Sequence, residues 1–219
     1  MSRLLVKLCG LRTEADVAAA NAALPDFTGF VIEVPGKRRS ITLDSAIELA
    51  KQLDKRIRPV GVFVDAPVET VNRFLAEIPN AAIQLHGSED AAYVAQLRAQ
   101  FAGTCLSECP DPRKARIIQA FRISDGASTL RAAGSSADLV LLDNGAGTGR
   151  PFDWRLLTGF PRPFLLAGGL GPDNLPQAIA SARAAAGGSF IGVDMSSSLE
   201  TDGAKNPAKM FAAVQAARN

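Results

Sequence analysis

The sequence predicts an α/β fold, a single (β/α)8 TIM barrel spanning residues 1–219. Three observations lead there. Short apolar runs alternate along the whole chain with longer amphipathic stretches, about eight of each, and strict βα alternation builds a parallel sheet. A length of 219 residues suits one closed barrel, since such domains run to roughly 200–250 residues. The rival, a doubly wound open sheet, would carry a G-x-G-x-x-G turn after its first strand, and "CGLRTEAD" holds one glycine.

The apolar runs place strands over 4–10, 27–34, 58–65, 81–85, 116–123, 137–143, 163–169 and 189–194. Helical patterns lie between them, as in "TEADVAAANAAL", "TLDSAIELAKQL", "APVETVNRFLAEI" and "SEDAAYVAQLRAQ". Three carry start signals: Thr13 three residues before Asp16, Thr42 before Ser45, and Ser88 ahead of Glu89 and Asp90. Pro172, Asp173 and Asn174 open another, and "NPAKMFAAVQAAR" closes the chain. The segment 102–116 is longer than an αβ connection needs and falls on the side away from the usual active face. Its Cys105 and Cys109 therefore read as structural or incidental.

Composition removes several classes of function. Net charge is +2 with no dense Lys/Arg run, and aromatic residues are 6% of the chain, so no nucleic-acid partner is expected. No stretch approaches 18 uninterrupted apolar residues, and Lys7 interrupts the early apolar run, so neither a membrane span nor a signal peptide is expected. Three cysteines, an odd number, point to free thiols and a cytoplasmic setting. A single histidine leaves no expected zinc site.

In such a barrel the chemistry sits at the C-terminal ends of the strands. Those ends deliver Cys9, Glu33, Asp65, His86, Ser124 with Asp125, Asp143, Gly168 with Gly169, and Asp194 with Ser196 and Ser197. Backbone amides around Gly145, Gly147, Thr148 and Gly149 are open to an anion, as are those of Gly168 and Gly169. Ser196 and Ser197, read as a helix N-terminus after strand eight, complete a phosphate cradle. Each turn alone reads as a tight turn; together they predict a phosphorylated small-molecule partner.

Two side chains stay ambiguous on local sequence. Asp143 shares a strand face with Leu141 and Leu139, so it either emerges from an apolar layer as a general acid or caps the next turn. Lys7 and Cys9 also share a face. Cys9 is then either a buried inert thiol or a thiol whose anion Lys7 favours, from an ordinary pKa of ~8.5, for use as a base.

Six ordered motifs narrow the field: "KLCGLRTEAD", "VGVFVD", "QLHGSED", "LLDNGAGTGRPFDW", "LAGGLGPDN" and "GVDMSSSLE". In order and spacing the chain resembles the phosphoribosylanthranilate isomerases of tryptophan biosynthesis. The resemblance implies an Amadori rearrangement of N-(5-phosphoribosyl)anthranilate to 1-(2-carboxyphenylamino)-1-deoxyribulose 5-phosphate, with no cofactor and no metal. It implies Cys9 as the base and Asp143 as the acid. It further implies an arginine for the anthranilate carboxylate, Arg39 by best alignment or Arg38, and Asp194 near the sugar hydroxyls. His86 falls in the family's Leu-His-Gly and reads as structural. The chain departs from the family in lacking the Ser-Pro before that arginine, and in having Ser198 where the family has glycine. Monomers and homodimers both occur among such proteins, so either state is compatible.

Overall fold

In the computed structural model, which describes residues 3–100, 111–145 and 153–219, eight parallel strands close into a barrel. They are β1 (Leu5–Cys9), β2 (Phe27–Ile32), β3 (Arg58–Phe63), β4 (Ala82–Leu85), β5 (Ile117–Arg122), β6 (Leu139–Asp143), β7 (Phe164–Ala167) and β8 (Phe190–Met195). Each pairs with its sequence neighbours, and β1 pairs with both β2 and β8, which closes the ring. A two-residue strand, Ser40–Ile41, adds to the upper end of β2. The expected (β/α)8 architecture is the observed one.

Alternation along the strands separates two apolar regions. Leu5, Val60, Ala82, Ile118, Leu141 and Leu165 fill the barrel interior. Val6, Leu8, Phe30, Ile83 and Val140 face outward, where helix residues such as Val17, Ile47, Phe74, Val94 and Val214 cover them. Removing each large side chain from water contributes about 1.5–3 kcal/mol.

The helices are α1 (Glu14–Ala23), α2 (Leu43–Lys51), α3 (Val68–Glu77), α4 (Ala91–Gln100), α5 (Gly126–Ala133), α6 (Leu175–Ala186) and α7 (Pro207–Arg218). Thr13 and Asp16 form the expected capping box on α1, and the Thr42 hydroxyl accepts from the Ser45 amide. None of the helices of the described residues is long and apolar enough to cross a membrane.

Three expectations are corrected. The cap of α4 is Asp90, whose Oδ1 accepts from Tyr93 N at 2.8 Å; Ser88 instead gives its amide and hydroxyl to Asp65 Oδ1. Pro172, Asp173 and Asn174 do open a helix, α6, and the Asn174 Oδ1 accepts from Gly171 N at 2.8 Å, bracing the loop before it. After β6 a 3-10 turn, Trp154–Leu157, stands where a helix was expected, because Gly159 (φ +70°) and then Pro161 and Pro163 stop helical growth. Ser196 and Ser197 open a three-residue 3-10 turn, Ser197–Leu199, rather than a helix. Of the long connection before β5, residues 101–110, with Cys105 and Cys109, lie outside the described residues; Pro112–Lys114 forms a 3-10 turn.

At the lower rim, carboxylates satisfy amides where strands begin. Asp26 Oδ2 accepts from Val6 N at 3.0 Å, and Asp138 Oδ2 accepts from both Arg116 N and Ile117 N at 2.8 Å. Asp138→Ala deprives two amides of their acceptor and is expected to cost about 1–3 kcal/mol of stability. The measurement is the urea midpoint beside kcat: a lower midpoint with unchanged kcat is expected, and an unchanged midpoint would show that the carboxylate is dispensable.

Candidate active site at the barrel mouth

A cavity of ≈ 440 Å³ opens at the C-terminal ends of the strands. It gathers Cys9 from β1, Arg38 and Arg39 from the loop after β2, His86 after β4, Asp143 from β6, and Asp194 from β8. Gly168, Gly169 and Ser196–Ser198 form its rim. Gly147, Thr148 and Gly149 lie outside the described residues. Glu33, Asp65 and Asp125 do not line it, because each is used locally. Glu33 accepts from Leu43 N, Asp65 from Ser88, and Asp125 caps α5 through Ser128 N. The Ser128 and Ser88 amides hold the Asp125 and Asp65 carboxyls below their usual range.

The opening strand carries the densest chemistry. Lys7 has no exposed surface, and its Nζ lies 2.9 Å from Asp194 Oδ1 on the neighbouring strand, where the two residues are register partners. Lys7 therefore points into the barrel. Space for it and for the thiol comes from Gly29 on β2: a Cβ there would sit 2.7 Å from Cys9 Sγ and 3.2 Å from Lys7 Nζ. Burial lowers the Lys7 pKa, but Asp194 and Cys9 outweigh it and hold the ammonium charged.

Cys9 is pulled in opposite directions by its surroundings. Burial pushes its thiol up, Lys7 pulls it down, and Asp194 pushes it up again, so the net direction is upward. Lys7 does favour the thiolate, but much of its field is neutralised by Asp194. The Asp194 carboxyl is itself raised by burial against the pull of Lys7. The Cys9 carbonyl accepts a 3.0 Å hydrogen bond from Ser196 Oγ, tying the first strand to the loop after the last.

Asp143 caps the next turn and also faces the mouth. Its Oδ1 accepts from Gly145 N at 2.8 Å, capping the turn, and its carboxyl lines the cavity. Gly168, at φ +101°, lets the β7 loop close against it: a Cβ would fall 2.8 Å from Asp143 Oδ1 and 1.8 Å from Asn144 Oδ1. His86 faces the same mouth, and burial lowers its pKa against the opposing pull of Asp143. Gln84 Nε2 lies 2.9 Å from His86 Nδ1, and Gln84 Oε1 is fully buried with no partner among the described residues. An amide at an inward position of "AAIQL" was the sequence signal for Gln84, a residue the motif reading passed over.

The two arginines meet on one carboxylate that the sequence did not single out. Arg39 Nε and Nη2 reach Glu200 Oε1 and Oε2 at 2.6 and 3.1 Å, and Arg38 pairs with the same group. Lys205, its side chain 1% exposed, adds Nζ–Oε1 at 3.1 Å and gives a 2.9 Å hydrogen bond to the Ser196 carbonyl. Burial alone would raise the Glu200 pKa; Arg39 and Lys205 prevail and bring it down to about 2. The Arg39 side chain is 27% exposed and that of Arg38 52%, so Arg39 is the inner of the pair.

The rim loops are laced together by side chains. Ser196 spends its hydroxyl on Cys9, as above. Ser198 Oγ donates to the Leu170 carbonyl, and Gly171 leaves room for its Cβ. Ser198 thus joins the loops after β7 and β8. No group of three or more His, Cys, Asp or Glu side chains among the described residues is arranged to hold a metal ion.

Comparison with known proteins agrees with this geometry. The family model described as "N-(5'phosphoribosyl)anthranilate (PRA) isomerase" matches residues 6–216. An N-(5'-phosphoribosyl)anthranilate isomerase of Endomicrobium trichonymphae is 33% identical over 219 residues, covering 98% of both chains. One from Desulforudis audaxviator is 37% identical over 224 residues, again with 98% of each covered. A crystal structure of phosphoribosyl anthranilate isomerase in complex with reduced 1-(o-carboxyphenylamino)-1-deoxyribulose 5-phosphate aligns with a TM-score of 0.78. It is 26% identical, over 98% of each chain.

The charge balance around Cys9 is testable without substrate. Replacing the pair together, Lys7→Met with Asp194→Asn, strands neither charge and removes more thiolate-favouring than thiolate-opposing influence. The pH midpoint of Cys9 alkylation, followed by peptide-resolved mass spectrometry, should move upward from wild type. A midpoint that stays or falls would remove Lys7 from any tuning role.

Proposed function

The chain belongs to the N-(5'-phosphoribosyl)anthranilate isomerase family and is an isomerase of tryptophan biosynthesis, and on that premise we propose that Cys9 is the general base and Asp143 the general acid of its rearrangement. The observation that carries the assignment is their meeting in one cavity, between cations on one side and glycine- and serine-rich loops on the other. A proton donor and a proton acceptor are the groups an aldose-to-ketose rearrangement needs.

Asp143 protonates the furanose ring oxygen; the C1–O bond breaks, and the anthranilate nitrogen lone pair forms the iminium. Cys9, as thiolate, takes the proton from the adjacent sugar carbon. The electron pair of that C–H bond forms the enolamine; its C2 hydroxyl then releases its proton to solvent as the C2=O bond forms, and the C1=C2 electron pair takes up a proton from solvent at C1, giving the ketone. Lys7 acts by favouring the thiolate.

Binding is divided among the rim groups. Arg39, the inner arginine, takes the anthranilate carboxylate, since a guanidinium fork matches a carboxylate. Backbone amides of Gly168, Gly169, Ser196 and Ser197 receive the phosphate, with the Gly147–Gly149 loop as their partner. The Ser196 hydroxyl, given to Cys9, contributes less there than its amide. Asp194, with Oδ1 held by Lys7, offers its second oxygen to a sugar hydroxyl. The ligand of the solved relative carries one carboxylate and one phosphate, the two anionic ends this division requires.

Purified protein should consume phosphoribosylanthranilate, followed as loss of the substrate's fluorescence. Cys9→Ala and Asp143→Ala are each expected to lower kcat by roughly 10²- to 10⁴-fold with KM largely kept. A near-wild-type kcat in either variant takes that residue out of its role.

A further inference from the structure

We propose that Glu200 is a positioning residue for substrate recognition, gripping Arg39 so that one edge of its guanidinium is presented to the substrate's carboxylate. The inference rests on the assignment of Arg39 above and extends it to a residue that touches no reacting atom.

A guanidinium has two edges able to make paired hydrogen bonds. The side-on edge, Nε with Nη2, is taken by the two Glu200 oxygens at 2.6 and 3.1 Å. The end-on edge, Nη1 with the second Nη2 hydrogen, is left for a second carboxylate, and Arg39 lines the cavity. An unheld arginine has rotamer freedom that binding must remove; Glu200 already restricts it in the free protein. Arg39 is also set beside the base, since a Cβ on Gly10 would come within 2.6 Å of Arg39 Cδ.

The charge balance favours a recognition role over a plain surface ion pair. The Glu200 side chain is 6% exposed and is met by three cations, Arg38, Arg39 and Lys205. The cluster keeps a surplus of positive charge, which a bound carboxylate would offset. Lys205 bonds both Glu200 and the Ser196 carbonyl. One buried carboxylate therefore fixes the arginine on one side and, through Lys205, the backbone of the phosphate-side loop on the other.

The test compares N-(5-phosphoribosyl)anthranilate with N-(5-phosphoribosyl)aniline, which lacks the carboxylate. In Glu200→Gln, KM for the anthranilate compound should rise roughly 10- to 100-fold, the scale set by a misplaced positioning group. Its kcat should stay within about threefold, and kcat/KM for the aniline compound should hold. Because Glu200→Gln strands the charge of Lys205, Glu200→Gln with Lys205→Met is measured beside it and is expected to show the same split. Equal losses on both compounds would mean Glu200 only supports the fold, and an unchanged KM would mean it does not position Arg39; either overturns the proposal. If the wild type turns over both compounds with equal efficiency, the assignment of Arg39 itself fails. If the wild type prefers the carboxylate and the variants keep that preference, Glu200 alone is excluded.

Discussion

A lysine with no exposed surface, inside a parallel barrel, is the constraint around which this mouth is arranged. Lys7 cannot be left unpaired there: removing the partner of a buried charge costs about 3–5 kcal/mol. Its partner, Asp194, lies 187 residues away and reaches it because β8 closes on β1 in a register that sets the two side by side. Closure of the ring and satisfaction of the charge are thus one event. Gly29 is then required on the other flank, since both Lys7 Nζ and Cys9 Sγ occupy the space a side chain would take. Once Lys7 is fixed, Cys9 follows two residues on, at the cavity floor, with Ser196 holding its carbonyl.

The mouth also shows how carboxyl groups in one site are given different tasks by their neighbours. Glu200 is surrounded by cations and held ionised, with its pKa drawn down to about 2. Asp194 faces one cation in a drier place and is pushed upward. Asp143 Oδ1 accepts from the backbone amide of Gly145.

Much of this was legible in the sequence, and the limits have physical reasons. The strands and most helices follow from apolar periodicity and capping residues, which are local properties: Thr13 with Asp16 needs four consecutive positions and no tertiary partner. The choice between Ser88 and Asp90 as a cap was not local, because Asp65, at the end of β3, claims Ser88. Lys7 and Cys9 could be placed on one face by alternation, but the direction of the thiol's shift could not be read. It depends on burial and on Asp194, brought in from the other end of the chain. Glu200 lay inside a quoted motif and went unremarked, since its meaning comes from arginines 161 and 162 positions earlier. Arg38 and Arg39 both pair with that carboxylate, and Arg39 lies deeper, at 27% against 52% exposed.

The raised Cys9 thiol bears on the order of steps in the proposed mechanism. A base that holds its proton too firmly in the empty site is poorly suited to attack a neutral, closed sugar. Ring opening changes its surroundings. Proton transfer from Asp143 creates an iminium, a positive charge in a water-poor cavity, adjacent to the carbon whose proton is to be lost. An opposite charge a few ångströms away favours the charged form of a titratable group, so the thiolate becomes easier to form as the C–H bond becomes more acidic. Lys7, its charge shared with Asp194, supplies a standing bias in the same direction. The acid step therefore prepares the base step, and a thiol pushed upward at rest is compatible with a thiolate at the moment of proton abstraction.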